Sequence, residues 1–190
     1  QPARLVAIKN EDEEKILKNL QIITTKPQLF VCNLTENELK GNKYSQIVED
    51  FCHKNNYQCV KICAQVEAEV ASLETAEEKQ EYLSAIGLSE TGLSLIIKSA
   101  FNLLNLISFF TVGPKECHAW ILKKGSTAPK GAGVIHTDFE KGFISAKTIS
   151  YEDYIKFNGE EGAKTAGKLR SEGKEYIVQD GDVFHFMFNV

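Results

Sequence analysis

Asn33 and Glu36 are the pair of residues in this chain best suited to recognition chemistry. They follow the apolar run Leu29-Phe30-Val31-Cys32, so a buried β-strand is expected to end at the asparagine and a loop to carry the carboxylate three residues on. A loop of the form Asn-Lys-x-Asp reads guanine. Its carboxylate accepts from the ring N–H and the exocyclic amino group, while its asparagine bonds the base edge and neighbouring loops. Here the tetrad is Asn33-Leu34-Thr35-Glu36. Leu34 stands where a lysine stem would cover the base, and the longer Glu36 moves the carboxylate, so strict guanine selection is not expected. A second candidate loop, Cys63-Ala64-Gln65, follows the next apolar run at 58–63 and offers backbone N–H groups and a small residue to the opposite base edge. The plainer reading of Asn33, a polar cap on an ordinary strand end, stays open beside this one.

A phosphate cradle is missing from the sequence. The pattern G-x-x-x-x-G-K-[ST] supplies backbone N–H groups, a lysine and a magnesium-binding hydroxyl to a triphosphate. Gly41-Asn42-Lys43-Tyr44 lacks the first glycine and the hydroxyl residue, and no Gly-Lys-Ser/Thr occurs between Gly125 and Gly133. The expectation is a base-contact loop without a catalytic one, with no catalytic residue and no bound metal in this chain. His53, His118, His136 and His185 are scattered without a cysteine or carboxylate at ligand spacing, and Cys59-x-x-x-Cys63 lies along an expected strand. Asp138 and Glu140 beside His136 suit a helix-start cap and solvated charge better than acid–base work. The alternating Phe184, Phe186 and Phe188 read as the core face of a strand.

The elements that must position these groups follow from periodicity. The acidic residues 11–14 open a short helix with one buried face, and apolar residues recur at Ile16, Leu17 and Leu20. A strand at 28–32, a helix near 44–55 burying Ile47, Val48, Phe51 and Cys52, and a strand at 58–63 make a βαβ unit with a parallel sheet. Helices follow at about 75–85 and 91–106, the second turning Leu93, Ile96, Ile97, Ala100, Phe101 and Leu104 to a core. From Ile107 the texture becomes that of a compact α+β module. Its expected strands are 107–112, 117–122, 175–179 and 183–188, the last two forming a hairpin across Asp180-Gly181-Asp182; helical pieces fall near 135–141 and 163–170.

Composition sets limits on function. Residues 1–106 hold 11 Lys/Arg against 15 Asp/Glu and residues 107–190 hold 11 against 11, so neither half is the basic footprint of a module that binds nucleic acid by itself, and no DNA partner is expected. Lys123-Lys124, Lys130 and Lys164-x-x-x-Lys168-x-Arg170 are the densest basic clusters and read first as solvated faces. Five cysteines, an odd number, suit buried thiols in a reducing cytosol. No apolar stretch reaches the ~20 residues of a membrane span, so a cytoplasmic chain without a membrane partner is expected.

Several segments together carry a family resemblance. Asn33-Leu34-Thr35-Glu36, Cys63-Ala64-Gln65-Val66-Glu67, the run Leu103 to Gly113, and Glu116-Cys117-His118-Ala119-Trp120 resemble the YchF subfamily of Obg-type GTPases, also called Obg-like ATPases. So do Ile135 to Ile144, Gly162-Ala163-Lys164, Tyr176 to Val183 and the closing Phe188-Asn189-Val190. The resemblance implies a partial α/β P-loop nucleotide-binding domain with a parallel sheet, followed by an α+β TGS domain of ubiquitin-like β-grasp shape. On that template residues 1–22 are the end of a helical insertion and the return segment, 23–106 the carboxyl-terminal part of the nucleotide domain, and 107–190 the TGS domain. It further implies a ribosome-associated switch that binds and hydrolyses ATP or GTP with Mg²⁺ in the intact protein, none of these being expected on this chain alone. Asn33, Leu34 and Glu36 take the base-contact role by position, with Cys63, Ala64 and Gln65 across from them. The alternative is a binding module whose TGS domain docks on the ribosome, a ribosomal subunit or a regulatory protein.

Overall fold

The computed structural model describes residues 2–189, which form two compact units that divide between Leu104 and Asn105. In the first unit, α1 (Glu11–Asn19) starts at Asn10, whose Oδ1 accepts from the Glu13 N–H at 2.9 Å. The acidic first turn is as expected, but the buried face is not: no residue of α1 is buried, and Ile16 and Leu20 stand exposed. Strand β1 (Leu29–Asn33) and strand β2 (Gln58–Ile62) pair in parallel, from Leu29 opposite Gln58 to Asn33 opposite Ile62, and α2 (Lys43–Lys54) crosses between them. Asn42 and Ser45 close a capping box at the start of α2. Then come α3 (Ala64–Ser72), α4 (Ala76–Ala85) and α5 (Gly92–Leu103). The core of this unit gathers Cys63, Val66, Val70 and Leu83, flanked by Leu39, Tyr82, Ile86 and Leu88.

Periodicity overstated how much of this unit is covered. Cys52 is buried on α2, but Ile47 is 63% and Phe51 49% exposed; on α5, Leu93 and Ile97 are exposed, as is Leu104 just beyond it. β1 is half-buried, with Val31 open to solvent. A two-stranded sheet gives its flanking helices too little surface to cover their apolar stripes. All five cysteines are free thiols. Cys32 and Cys59 lie with sulfurs 3.8 Å apart, and burial together with that contact pushes the Cys59 thiol up to about 12, which makes it a poor nucleophile.

The second unit is built on one mixed sheet. β3 (Leu106–Val112) and β4 (Cys117–Lys123) form an antiparallel hairpin; α6 (Ala128–Ile135) and α7 (Thr137–Lys141) lead to β5 (Phe143–Ser150). Short helices α8 (Tyr151–Lys156) and α9 (Glu160–Thr165) connect to β6 (Arg170–Glu172), and the chain returns through β7 (Asp182–Phe188). The spatial order is β4-β3-β7-β5-β6, with the last strand inserted at the centre, parallel to β3 and antiparallel to β5. Phe109, Phe184, Phe186, Leu122, Phe143 and Val178 fill the core against Ala128 and Ala132 of α6. The alternation of Phe184 and Phe186 inward with His185 and Met187 outward is as the sequence implied.

Three expectations fail here. Residues 175–179 are not a strand and no hairpin spans 180–182. Asp180 Oδ1 accepts from the Ser108 N–H and Asp182 Oδ2 from the Gln179 N–H, each at 2.8 Å, so these side chains anchor a crossing segment that touches Thr127 through a single bridge at Ile177. The helical stretch near 135–141 is two helices broken at extended His136, the first starting at Ala128. The stretch 163–170 is helical only to Thr165 and becomes β6 at Arg170.

Gly142, which ends α7, shows how tightly the unit closes. A Cβ there would stand 1.9 Å from the Asn189 carbonyl oxygen, and Asn189 N–H donates to the Gly142 carbonyl at 2.9 Å. Gly142→Ala is therefore expected to lower stability by about 2–3 kcal/mol, the scale of overpacking, where Gly→Ala at an unhindered site gains about 1 kcal/mol. A urea midpoint unchanged or raised in this variant would refute the account.

Candidate functional site

The parallel pairing of β1 and β2 brings their carboxyl ends side by side, which is where α/β sheets place ligands. Asn33 ends β1 with its side chain exposed, and its Oδ1 accepts from the Ala64 N–H at 3.0 Å, across 31 residues of sequence. One step on, Leu34 N–H donates to the Ile62 carbonyl at 2.8 Å. The two candidate loops are thus fastened to each other.

The side chains divide by exposure. Glu36 begins a short 3-10 turn, Glu36–Glu38, and is open to solvent; Ala64 and Gln65 open α3 and are exposed as well. Leu34 is half-buried, and the Cys63 thiol points into the core with Val66, Val70 and Leu83, which leaves its backbone to the loop. Gln65 Nε2 donates to Glu69 at 3.1 Å, and Glu69 also accepts the Tyr82 hydroxyl proton. These two bonds hold the Glu69 carboxyl below its usual range.

Glu67 is a positioning residue that the sequence reading did not single out. Its carboxylate accepts from the Gly92 N–H at 2.6 Å and the Leu93 N–H at 3.2 Å, capping α5 from α3. Gly92 permits the approach, since a Cβ there would lie 2.7 Å from Ile62 Cγ2. Nothing in the sequence indicates the distant carboxylate. The resulting frame presents an exposed ledge of Asn33, Glu36, Ala64 and Gln65 at the strand ends. Among the described residues no group of three or more His, Cys, Asp or Glu is placed to hold a metal ion.

Known proteins resemble the chain over nearly its whole length. The family YchF-GTPase_C, described as a protein of unknown function (DUF933), matches residues 106–189. The ribosome-binding ATPase YchF of Haemophilus influenzae is 49% identical over 181 residues, covering 95% of this chain and 50% of that protein. The protein of the same name in Bacillus subtilis is 47% identical over 192 residues, covering 100% and 52%. The chain belongs to the YchF family. It spans about half the length of the curated YchF relatives it matches. The solved structure of the Schizosaccharomyces pombe YchF GTPase superposes with a TM-score of 0.80 at 32% identity, over 98% of this chain and 50% of that one. A GTP-binding protein of Pyrococcus horikoshii, at 21% identity and a TM-score of 0.59, shares the fold. No helix among the described residues of this YchF-family chain is long and apolar enough to cross a membrane.

Proposed function

We propose that the chain supplies the base-contact loops and the carboxyl-terminal module of a cytoplasmic, ribosome-associated ATP/GTP-hydrolysing switch. In this reading residues 1–22 are the end of a helical insertion, 23–106 part of a P-loop domain, and 107–190 a TGS domain of β-grasp type. The observation that carries it is the Asn33–Ala64 hydrogen bond. It holds Asn33, Leu34 and Glu36 beside Cys63, Ala64 and Gln65 at the carboxyl ends of two parallel strands. The names of the relatives, ribosome-binding ATPases, support the partner and the reaction class.

Leu34 and the longer Glu36 favour a base pocket that admits adenine as well as guanine. When bound, ATP or GTP with Mg²⁺ supplies the phosphoanhydride that is hydrolysed. The residues here fit the base and not the phosphates, so this chain's part is to orient the base through the Asn33 and Ala64 ledge. A second reading, a docking module acting by itself, is favoured by the independent core and sheet of residues 105–190.

Titration with fluorescent ATP and GTP analogues in Mg²⁺, alongside sedimentation with ribosomes at low and raised salt, tests both. The expected result is no saturable nucleotide binding below millimolar concentrations and salt-sensitive co-sedimentation. Micromolar nucleotide binding would sink the assignment of phosphate binding to residues outside this chain, and a chain left in the supernatant at low salt would sink ribosome docking by it.

A further inference from the structure

The outer edge of β4 is open. It is the terminal strand of its sheet, and no strand among the described residues pairs with it beyond β3. Hydrogen bonds from Gly113 N–H to the Glu116 carbonyl and from Lys124 N–H to the Asn105 carbonyl bracket the β3–β4 ladder. Antiparallel alternation then turns the even residues of β4 toward β3 and leaves the N–H and C=O of Cys117, Ala119 and Ile121 facing outward. Edges of this length are normally blunted by proline, a bulge or an inward-pointing charge. Cys117–Lys123 has no proline, pairs with β3 in unbroken register, and carries its one charged residue, Lys123, on the exposed side at its end.

A groove of about 440 Å³ runs between this edge and α6, lined by Leu106, Ile121, Leu122, Gly133 and Val134 with Lys130 at its rim. Ile121 and Val134 are 54% and 42% exposed. The wall beyond is fixed: the Glu140 carboxylate reaches over Gly133, where a Cβ would stand 2.4 Å from it, and holds Lys130 Nζ at 2.6 Å. Exposed Lys123 and Lys124 stand where the strand leaves the groove. Main-chain donors and acceptors, an apolar trough beside them and cations at one end are the three requirements for adding a strand with alternate aliphatic side chains and acidic flanks.

We propose that β4 and the β4–α6 groove bind an extended aliphatic peptide segment, flanked by acidic residues, of a protein partner. The segment would lie as a sixth strand of the sheet. This goes beyond the nucleotide and ribosome reading and does not depend on it. RNA fits less well, because the groove offers aliphatic carbon where a base would need an aromatic face.

Trp120 is the chain's single tryptophan and lies in the middle of β4, with its indole N–H donating to Thr111 Oγ1 at 2.9 Å, so the strand carries its own reporter. The full chain is titrated with the synthetic peptide Glu-Asp-Val-Ile-Val-Ile-Asp-Glu while Trp120 emission and amide exchange are followed. Saturable binding is expected, with slowed exchange at Ala119 and Ile121 and none added at His118 and Trp120. Val134→Glu, and Lys123→Glu with Lys124→Glu, should each weaken binding about 10-fold or more, the scale of a central contact or a charge reversal. Ile144→Glu, on exposed β5 carbon, should leave it unchanged. Equal binding of a peptide with proline at its centre would overturn strand addition. Two other results would overturn the proposal as well: binding of a uridine hexamer in place of the peptide, or a doubling of mass with chain concentration that Val134→Glu abolishes, which would assign the edge to a second copy.

Discussion

Asp182→Ala is expected to unfold residues 105–190 at markedly lower urea than the parent chain, a loss of about 3 kcal/mol. Asp182 is 2% exposed at the start of the central strand β7. Its Oδ2 accepts from the Tyr176 hydroxyl and the Gln179 N–H, both at 2.8 Å, and its Oδ1 faces Arg170 Nη2 at 3.5 Å. Alanine strands a half-buried hydroxyl, a backbone donor and a guanidinium at once. Arg170 is 47% exposed and recovers part of its loss from water, so the effect rests mainly on the two short bonds. Asp182→Asn keeps an acceptor for them and should cost clearly less. Trp120 fluorescence reads the transition; a midpoint within error of the parent would remove Asp182 from the stabilising set. The network also has a pH signature. Burial, reinforced by Asp182, moves the Tyr176 hydroxyl from its ordinary 10 up to about 12. With the folded-state value raised, the stability it contributes is whole below pH 10 and is lost as pH climbs through 12.

The same residues show why part of this fold was legible in sequence and part was not. The βαβ order of β1, α2 and β2, and the inward phenylalanines of β7, follow from periodicity alone, because each element buries one face of its own. The Asp180-Gly181-Asp182 triplet misled because the turn chemistry of Asp and Gly was used for long-range capture. Asp180 reaches the Ser108 N–H 72 residues away, and positive-φ Gly181 donates to the Ser108 carbonyl. Helix α6 was hidden by Pro129, Gly131 and Gly133. Proline is tolerated in the first turn, Gly131 packs on Leu122, Val178 and Phe186, and Gly133 makes room for Glu140, so tertiary contacts outweigh poor propensity. At the candidate site, the types at 33–36 and 63–65 could be read, but the bond joining Asn33 to Ala64 and the carboxylate of Glu67 under α5 depend on a spatial arrangement that no spacing encodes.

The first unit is expected to lose its structure before the second, in a separate transition. Among the described residues up to Leu104, the buried apolar side chains are Cys52, Cys63, Val66, Val70 and Leu83, all of modest size; from Asn105 on they include Phe109, Phe143, Phe184, Phe186, Leu122 and Val178. At about 25 cal/mol per Å² of apolar surface removed from water, that difference in side-chain size decides the order. The sheet explains the imbalance. Cys59 of β2 meets Cys52 of α2, whereas Ile62, three positions on and so on the other face, meets Gly92 of α5. The helices therefore cover opposite faces of only two strands, and Tyr44, Ile47, Phe51, Leu93 and Ile97 project beyond them. Far-UV circular dichroism should fall first in urea while Trp120 emission stays native, since the single tryptophan lies in the second unit. Coincident transitions by the two probes would mean that the two units unfold as one, and that the thin core of the first is compensated by contacts its own residues do not reveal.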